Sequence, residues 1–170
     1  MRINLFIYCV TLLTFISFWS CKKNESVKPQ REIFEKLILS TIDGKIINSD
    51  SLEGSLRVLV FFSPNDCQSC LNEILFWNST NKTFNNGVSI IGIVSHQHRA
   101  IAARYVKMLN IDIPVIFDSS SYLKIKYGIN DTPRRIIFNN KYEILHKSDI
   151  NNKNVRLENI MDTIKVLLNL

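Results

Sequence analysis

The apolar residues of this chain fall into short runs divided by polar turns, which predicts alternating strands and helices. Continuous apolar runs such as LRVLVFF and GVSIIGIVS are typical of strands buried on both faces, and RAIAARYVKMLN has the spacing of an amphipathic helix. The predicted strands lie at residues 32–40, 45–54, 56–62, 87–95, 113–118, 132–140 and 141–148. The predicted helices lie at residues 67–77, 99–110 and 154–170, with a short one within 120–129.

Turn and capping residues divide these elements. Gly44, within the turn DGK, can adopt a positive φ without steric cost and closes a hairpin. Pro64 ends a strand, Asn65 and Asp66 are good helix N-caps, and Gly128 closes the short helix. Strands and helices alternate until a final hairpin and helix, which predicts an α/β sandwich with a mixed central sheet.

The first twenty residues differ from the rest of the chain. MRIN carries one basic residue and no acid, and an almost wholly apolar stretch follows it, as in a secretory signal. The stretch is short for a bilayer span, which needs roughly 20 apolar residues. We assign residues 1–20 to a signal peptide, 21–32 to a polar tether and 33–170 to the folded domain.

The sequence FWSC, ending at Cys21, resembles the lipobox of bacterial lipoproteins, in which a small residue precedes the lipidated cysteine. Ser20 fits that position, whereas Trp19 and Phe18 are bulkier than usual. The resemblance implies a lipid at Cys21 and an anchor in a membrane of the bacterial cell envelope, facing the periplasm or the outer surface. An uncleaved membrane anchor and ordinary cleavage nearby are the alternatives, and all three place the domain outside the cytoplasm.

The charge pattern argues against nucleic acid as a partner. The formal net charge is +6, but the basic residues are scattered and form no run of five or more. Such a distribution is typical of a solvated basic surface. With 170 residues, the chain is long enough for one domain with a full core.

The predicted folded domain contains one pair of cysteines. Of the four, Cys9 lies in the signal and Cys21 takes the lipid, so Cys67 and Cys70 remain. A pair separated by two residues closes only a small ring, whereas a structural disulfide usually closes a longer loop. Outside the cytoplasm, where cysteines meet oxidants, this spacing favours a redox-active disulfide over a structural one.

The predicted helix gives the two cysteines different roles. Cys67 lies at the helix start, where free backbone N–H groups and the helix dipole stabilise a thiolate, the nucleophile of disulfide exchange. Cys70 lies one turn further in, shielded but close enough to resolve a mixed disulfide. We therefore predict that Cys67 attacks and Cys70 resolves.

A strand–CxxC–helix arrangement, followed much later by Thr132 and Pro133 at the start of a strand, resembles the thioredoxin fold. The segments DGK, VLVFFSPNDCQSCLNE, GVSIIGIVS, IPVIFD and YGINDTPRRIIFNN resemble successive parts of the TlpA/ResA-like envelope thiol–disulfide oxidoreductases, over about residues 33–148. The resemblance implies a thioredoxin-like three-layer α/β sandwich, with a mixed central sheet flanked by helices and an N-terminal hairpin extension.

The resemblance also implies roles for individual residues. Cys67 and Cys70 match the redox pair, Pro133 matches the cis-proline beside it, and Thr132 would bind an extended substrate through its backbone. Glu73 matches the acid of a CxxCxxE motif and would take or give a proton when Cys70 reacts. The implied activity is disulfide exchange with envelope protein thiols or disulfides in the reducing direction, with electrons from a membrane donor, no organic cofactor and no metal.

Three positions depart from the family pattern. Asp66 stands where the family usually has Trp, Ser69 where it has Pro within CxxC, and Leu75 where a Pro often follows the glutamate. A carboxylate at Asp66 disfavours a thiolate at Cys67 unless it turns away to cap the helix, and both arrangements stay open. Because the redox potential depends on such details, the sequence does not predict it.

Two other functions compete with disulfide exchange. A metal-binding, chaperone-like module would combine Cys67 and Cys70 with His96 and His98 of SHQHR, because two Cys and two His suit zinc or copper. Outside that role, the histidines are expected in an exposed loop. A peroxide reductase would share the fold, but the Pro and Thr that usually precede its attacking cysteine are missing here.

Arg134 and Arg135 follow Pro133 on a predicted strand. Because side chains alternate along a strand, we expect one of the two to face solvent. The other would make the surface near Pro133 basic and favour acidic partners.

Overall fold

A mixed five-stranded sheet forms the centre of the computed structural model. The structure describes residues 32–65, 68–84, 87–95, 98–148 and 157–169. Among these residues, no helix is long and apolar enough to cross a membrane.

The described elements follow the predicted order of strands and helices. The strands are β1 (Ile38–Ser40), β2 (Ile46–Asn48), β3 (Leu56–Phe61), β4 (Val88–Ser95), β5 (Val115–Asp118), β6 (Arg134–Asn139) and β7 (Ile144–Lys147). The helices are α1 (Gln68–Thr80), α2 (Arg99–Met108), α3 (Tyr122–Lys126) and α4 (Leu157–Leu168), with 3₁₀ turns at Ser49–Ser51 and Asn81–Phe84. The predicted signal peptide, residues 1–20, lies outside the described residues, as does the tether apart from its last residue.

The sheet has the strand order β5-β4-β3-β6-β7. β3 is apolar apart from Arg57, which suits its central place, and every residue of that strand is buried. β4 runs parallel to β3, with Gly92 opposite Val60, and β6 runs antiparallel to it, with Arg135 opposite Val60. β5 continues the parallel side and β7 the antiparallel side. The predicted mixed central sheet is confirmed.

Apolar side chains cover both faces of the sheet and produce three layers. One face is covered by α1, α2 and α4, through the buried side chains of Ile74, Trp77, Ala102, Ile160 and Ile164. The other face is covered by α3 and by the segment before β1, through Phe34, Leu123 and Tyr127. Full burial of each larger side chain stabilises the fold by about 1.5–3 kcal/mol. The three-layer sandwich predicted from the sequence is therefore confirmed.

The N-terminal hairpin is present but shorter than its predicted strands. β1 and β2 pair antiparallel around Gly44, which has a φ of 86°. Residues 34–37 form no strand, because Phe34 turns into the core instead. Its backbone N–H donates to the carbonyl oxygen of Tyr142 at 2.7 Å, and its ring stacks on Phe138 with centroids 4.3 Å apart.

The hairpin also contacts the outer edge of β5. The backbone N–H of Ile42 donates to the carbonyl oxygen of Val115 at 2.8 Å. Thr41 forms an isolated antiparallel bridge with Ile116. The hairpin extension is thus hydrogen-bonded to the parallel side of the sheet.

Gly92 offers a test of the packing between α1 and the sheet. A Cβ at this position would meet Cε1 of Phe62 at 3.0 Å, Cδ1 of Ile74 at 3.1 Å and Cγ2 of Val115 at 3.3 Å. We expect Gly92→Ala to lower the free energy of unfolding by about 1–3 kcal/mol, because overpacking forces these side chains to shift. Urea denaturation followed by circular dichroism measures the loss.

Ile125→Ala is the control for this substitution, since Ile125 is 76% exposed. It is expected to change the free energy of unfolding by no more than about 0.5 kcal/mol. Equal losses in the two variants would contradict the close packing around Gly92.

Candidate redox site

Cys70 lies in the first turn of α1, shortly after the carboxyl end of β3. Its side chain is fully buried, and it is disulfide-bonded. Cys70 is the only cysteine among the residues that the structure describes, so its disulfide partner lies outside them. Cys67, the predicted attacking cysteine, is also outside the described residues.

The antiparallel pairing of β3 with β6 brings the loop before β6 to Cys70. Phe61, the last residue of β3, pairs with Arg134, the first residue of β6. The hydroxyl of Thr132 lies 3.5 Å from Sγ of Cys70. Because a disulfide sulfur carries no proton, the hydroxyl is the donor in this contact. The Thr132–Pro133 peptide bond is cis, the isomer that the resemblance predicts.

Glu73 lies about one helical turn beyond Cys70 on α1. Its side chain is only 5% exposed. Its Oε1 atom accepts a hydrogen bond from Nε1 of Trp77 at 2.8 Å and lies 3.0 Å from Nε of Arg135. The predicted acid is therefore a buried carboxyl with a cationic partner from β6.

The buried side of α1 differs from the one expected. The apolar spacing of the sequence predicts Leu71 and Leu75 on that side together with Ile74. Both leucines are only half-buried, while Glu73 takes a buried position beside Ile74. A buried carboxylate is tolerated where a cation and a hydrogen-bond donor compensate its lost hydration. An apolar pattern alone does not reveal such a position.

The surroundings of Glu73 shift the pKa of its carboxyl in opposite directions. Burial raises the pKa of Glu73 above its ordinary value of 4.5, and the charge of Arg135 and the hydrogen bond from Trp77 oppose that rise. Burial also lowers the pKa of Arg135, and the charge of Glu73 opposes that change. The net rise brings the carboxyl nearer to the pH range in which it can exchange a proton with a thiol.

Both arginines that follow Pro133 are buried, so the expectation that one faces solvent is wrong. Arg134 is 8% exposed and Arg135 is 7% exposed, because β6 lies between two other strands and both of its faces are covered. Nε of Arg134 donates to Oδ1 of Asp131 at 2.7 Å. The basic surface proposed near Pro133 is therefore also wrong, since each guanidinium lies against a carboxylate.

His98 is buried rather than exposed, which corrects the loop position expected for it. It lies immediately before α2 and is 9% exposed. Its Nε2 atom lies 3.1 Å from Oγ of Ser63, which is itself buried just after β3. This contact connects the start of α2 to the segment that leads into the cysteine pair.

The metal alternative receives no support from the described part of the chain. Two of its four proposed ligands, Cys67 and His96, lie outside that part. Within it, no group of three or more His, Cys, Asp or Glu side chains could hold a metal ion.

Arg135 and Trp77 belong to the candidate site but were not predicted to act there. A signal for Arg135 is present in the sequence, since a charged residue within a strand buried on both faces requires a partner. Glu73, on a helix that packs on the same sheet, is a carboxylate that can supply it. Trp77 follows Glu73 by four residues, which places the two on the same side of the helix.

A cavity of about 520 Å³ lies elsewhere in the molecule. Its walls come from the hairpin, α2 and the segment before β5. Neither Cys70 nor Glu73 lines it, and Thr132 does not line it either. The cysteine site is thus distinct from this cavity.

Comparison with known proteins identifies the family. The AhpC/TSA family matches residues 31–163. The chain belongs to the AhpC/TSA family. None of the curated proteins compared matches it.

Solved structures of thioredoxin-like proteins resemble this one. The thiol:disulfide interchange protein of Chlorobium tepidum TLS is 20% identical, with a TM-score of 0.69 over 84% of this chain and 99% of that one. The exposed lipoprotein thioredoxin of Streptococcus pneumoniae strain TIGR4 is 20% identical, with a TM-score of 0.66 over 78% and 99%. A secreted disulfide oxidoreductase of Mycobacterium tuberculosis is 18% identical, with a TM-score of 0.61 over 77% and 94%.

These likenesses establish the thioredoxin-like fold. Together with the family match, they identify the chain as a thioredoxin-like oxidoreductase. The resemblance drawn from the sequence is confirmed at that level.

The raised pKa of Glu73 predicts how stability depends on pH. A carboxyl whose pKa is higher in the folded chain binds more protons there than in the unfolded chain, so stability falls as pH rises from 4.5 through the folded-state pKa. We expect the free energy of unfolding of the wild type to fall relative to that of Glu73→Gln over this range. Urea denaturation of both proteins between about pH 4.5 and pH 8 measures the difference.

Comparing the two proteins at each pH removes the contributions of their other ionisable groups, including His146, whose pKa is lowered by burial. A difference that stays constant, or that grows in favour of the wild type as pH rises, would contradict the raised pKa of Glu73.

Proposed function

We propose that this protein is a membrane-tethered thiol–disulfide oxidoreductase that works through Cys67 and Cys70. The observation that carries the proposal is the position of Cys70. It is buried and disulfide-bonded in the first turn of α1, and the hydroxyl of Thr132 lies 3.5 Å from its sulfur. A disulfide at a helix start, beside the hydroxyl of a residue from the loop before β6, suits reversible exchange better than structural cross-linking.

In the proposed reaction, the thiolate of Cys67 attacks one sulfur of a partner's disulfide. The partner's S–S bond breaks, and a mixed disulfide forms between Cys67 and the partner. Cys70 then attacks Sγ of Cys67, the mixed bond breaks, and the partner leaves with two thiols. Two electrons have passed to the partner, and Cys67 and Cys70 are joined as a disulfide.

Glu73 is the proposed proton acceptor for Cys70. It lies about one turn further along the same helix and is buried on the same side. A buried thiol has to lose its proton before it can attack, and bulk water has limited access to this position. A nearby carboxylate provides an acceptor within the protein.

Thr132 and Pro133 form the proposed binding segment for the partner. They precede β6, next to the end of β3. Backbone groups of a segment in this position can pair with an extended chain with little preference for its side chains. We infer that the substrates are thiols or disulfides of envelope proteins and that a membrane electron donor reduces Cys67 and Cys70 after each cycle.

The proposed location follows from the N-terminal sequence. Residues 1–20 would act as a signal peptide, Cys21 would carry the lipid, and residues 21–32 would connect the lipid to the domain. Work at the membrane surface of the cell envelope fits a partner that delivers electrons from the membrane.

A redox titration of the full chain tests the exchange. We expect a reversible two-electron transition that titrates Cys67 and Cys70 together, with a midpoint below roughly −220 mV for a reductase. Cysteine modification in glutathione and dithiothreitol buffers, read by mass spectrometry of the peptides, measures it. Unreactive thiols together with a stoichiometric bound metal would instead establish the metal-binding alternative.

Two single variants test whether Cys67 attacks the partner and Cys70 resolves the mixed disulfide. Cys70→Ala should accumulate mixed disulfides with envelope proteins through Cys67, and Cys67→Ala should accumulate none. Capture of covalent partners by Cys67→Ala but not by Cys70→Ala would reverse the roles. Absence of partners in both variants, together with rapid consumption of peroxide by the wild type, would favour a peroxide reductase.

Lipidation at Cys21 predicts that the protein is labelled by fatty acid. Cys21→Ser should abolish incorporation of radiolabelled palmitate into the protein in a bacterial host, because the thiol that would carry the lipid is removed. Cys9→Ser is the matched control and should retain full labelling. Unchanged labelling of Cys21→Ser would contradict the lipid anchor.

A further inference from the structure

β6 places Arg135 on the same side of the sheet as the candidate redox site. Residues two apart on a strand face the same way, so Arg135 shares a face with Ile137. Ile137 packs in the core cluster that contains Cys70, Ile74 and Trp77. The guanidinium therefore enters the layer between the sheet and α1, where its Nε lies 3.0 Å from Oε1 of Glu73.

Among the described residues, Arg134 and His146 are the other ionisable groups that interact electrostatically with this pair. Arg134 points to the opposite face of β6 and is paired with Asp131. His146 on β7 pairs in register with Ile137, and the charge of Arg135 helps to lower its pKa.

α4 adds apolar side chains to the same layer, and among its described side chains the charged ones, Asp162 and Lys165, point to solvent. Within the described residues, Arg135 is thus the one cation in ion-pair contact with Glu73.

The geometry of Arg135 is unusual for a residue that only stabilises the fold. Its Nε and Nη1 atoms are buried and have no well-aligned hydrogen-bond acceptor in the described part of the chain. The contact with Glu73 is therefore an ion pair without good hydrogen-bond alignment. Buried N–H groups left unsatisfied destabilise a protein, and a buried ion pair is often no more stable than an apolar pair of the same size. Stability alone does not account for this arrangement.

We propose that Arg135 is a positioning residue that holds Glu73 in its carboxylate form, so that Glu73 takes the proton of Cys70 when Cys70 resolves the mixed disulfide. This inference rests on the proposed function and assigns a role to a residue outside the CxxCxxE and Thr-Pro motifs. In the step itself, the S–H proton of Cys70 passes to the carboxylate of Glu73. The Cys70–Cys67 bond forms, the bond between Cys67 and the partner breaks, and the partner leaves as a thiolate.

The role of Arg135 is electrostatic. A positive charge at 3.0 Å stabilises the carboxylate against the protonated acid, and it acts strongly because the site is shielded from water. Removing that charge leaves only the hydrogen bond from Trp77 to oppose the effect of burial, so Glu73 stays protonated up to a higher pH. A protonated Glu73 cannot accept the proton of Cys70, so resolution slows at neutral pH.

A two-phase reaction with dithiobis(nitrobenzoate) isolates the resolving step. The full chain is reduced in detergent, with Cys9 and Cys21 replaced by serine so that only Cys67 and Cys70 react. Attack by Cys67 releases the first thionitrobenzoate, and attack by Cys70 on the mixed disulfide releases the second. The rate of the second phase is then measured from about pH 5 to pH 9 by its absorbance.

We expect Arg135→Met to slow the second phase by about tenfold at pH 7 and to move its pH profile to higher pH, since an opposite charge at this distance strongly favours the ionised form. Arg135→Lys keeps the charge and should restore most of the rate. Arg134→Met is the matched control, because Arg134 is equally buried on the other face of β6. It should leave the profile of the second phase unchanged.

The Glu73→Gln background separates an electrostatic role from a structural one. Glu73→Gln should slow the second phase, and adding Arg135→Met should slow it no further, since the charge that Arg135 acts on is gone. The double variant also removes the unpaired buried charge, so it provides a folded protein even where Arg135→Met alone unfolds.

Each outcome has a separate meaning. A wild type that releases no second thionitrobenzoate would overturn the proposed exchange mechanism as a whole. A normal second phase in the wild type, with an unchanged pH profile in Arg135→Met, would overturn only the role of Arg135. The same slowing by Arg135→Met with and without Glu73 would also overturn it, since the effect would not pass through the carboxylate.

Discussion

The antiparallel register between β3 and β6 determines most of what this molecule can do. It sets Arg134 opposite Phe61, so the loop that carries Thr132 reaches the helix that begins after β3. The same register turns Arg135 towards Glu73. A shift of one residue would exchange the faces of the two arginines and turn Arg135 away from Glu73. The sulfur contact and the ion pair therefore form together or not at all.

The buried carboxyl group of Glu73, between α1 and the sheet, destabilises the fold. The surrounding residues reduce this destabilisation without removing it. Trp77 gives Glu73 a hydrogen bond and Arg135 gives it a counter-charge, yet burial still raises its pKa. The result is a carboxyl that neither ionises as readily as one in water nor stays fully protonated as in an apolar pocket. Such an intermediate proton affinity suits a group that has to accept and return a proton in each cycle.

The sequence predicts the architecture well because the central strands β3 and β4 are short, mostly apolar runs and because turn residues separate the elements. Gly44 and Pro64 mark two of these boundaries, and the order of elements follows from them. The site is predicted less completely. Cys70, Glu73 and Thr132 stand in recognisable motifs, but the partnership of Arg135 with Glu73 joins residues 62 positions apart and depends on register. Periodicity assigns a charged residue to a face, and only tertiary packing decides whether that face is covered.

The hydrogen bond from Ile42 to Val115 affects how the sheet can pair with other protein chains. β5 forms one edge of the sheet, and unpaired backbone groups at a sheet edge can hydrogen-bond to a strand of another chain. An oxidoreductase that meets extended or incompletely folded chains is especially exposed to such accidental pairing. By occupying part of this edge, the hairpin leaves fewer backbone groups of β5 available for pairing with a strand of another protein.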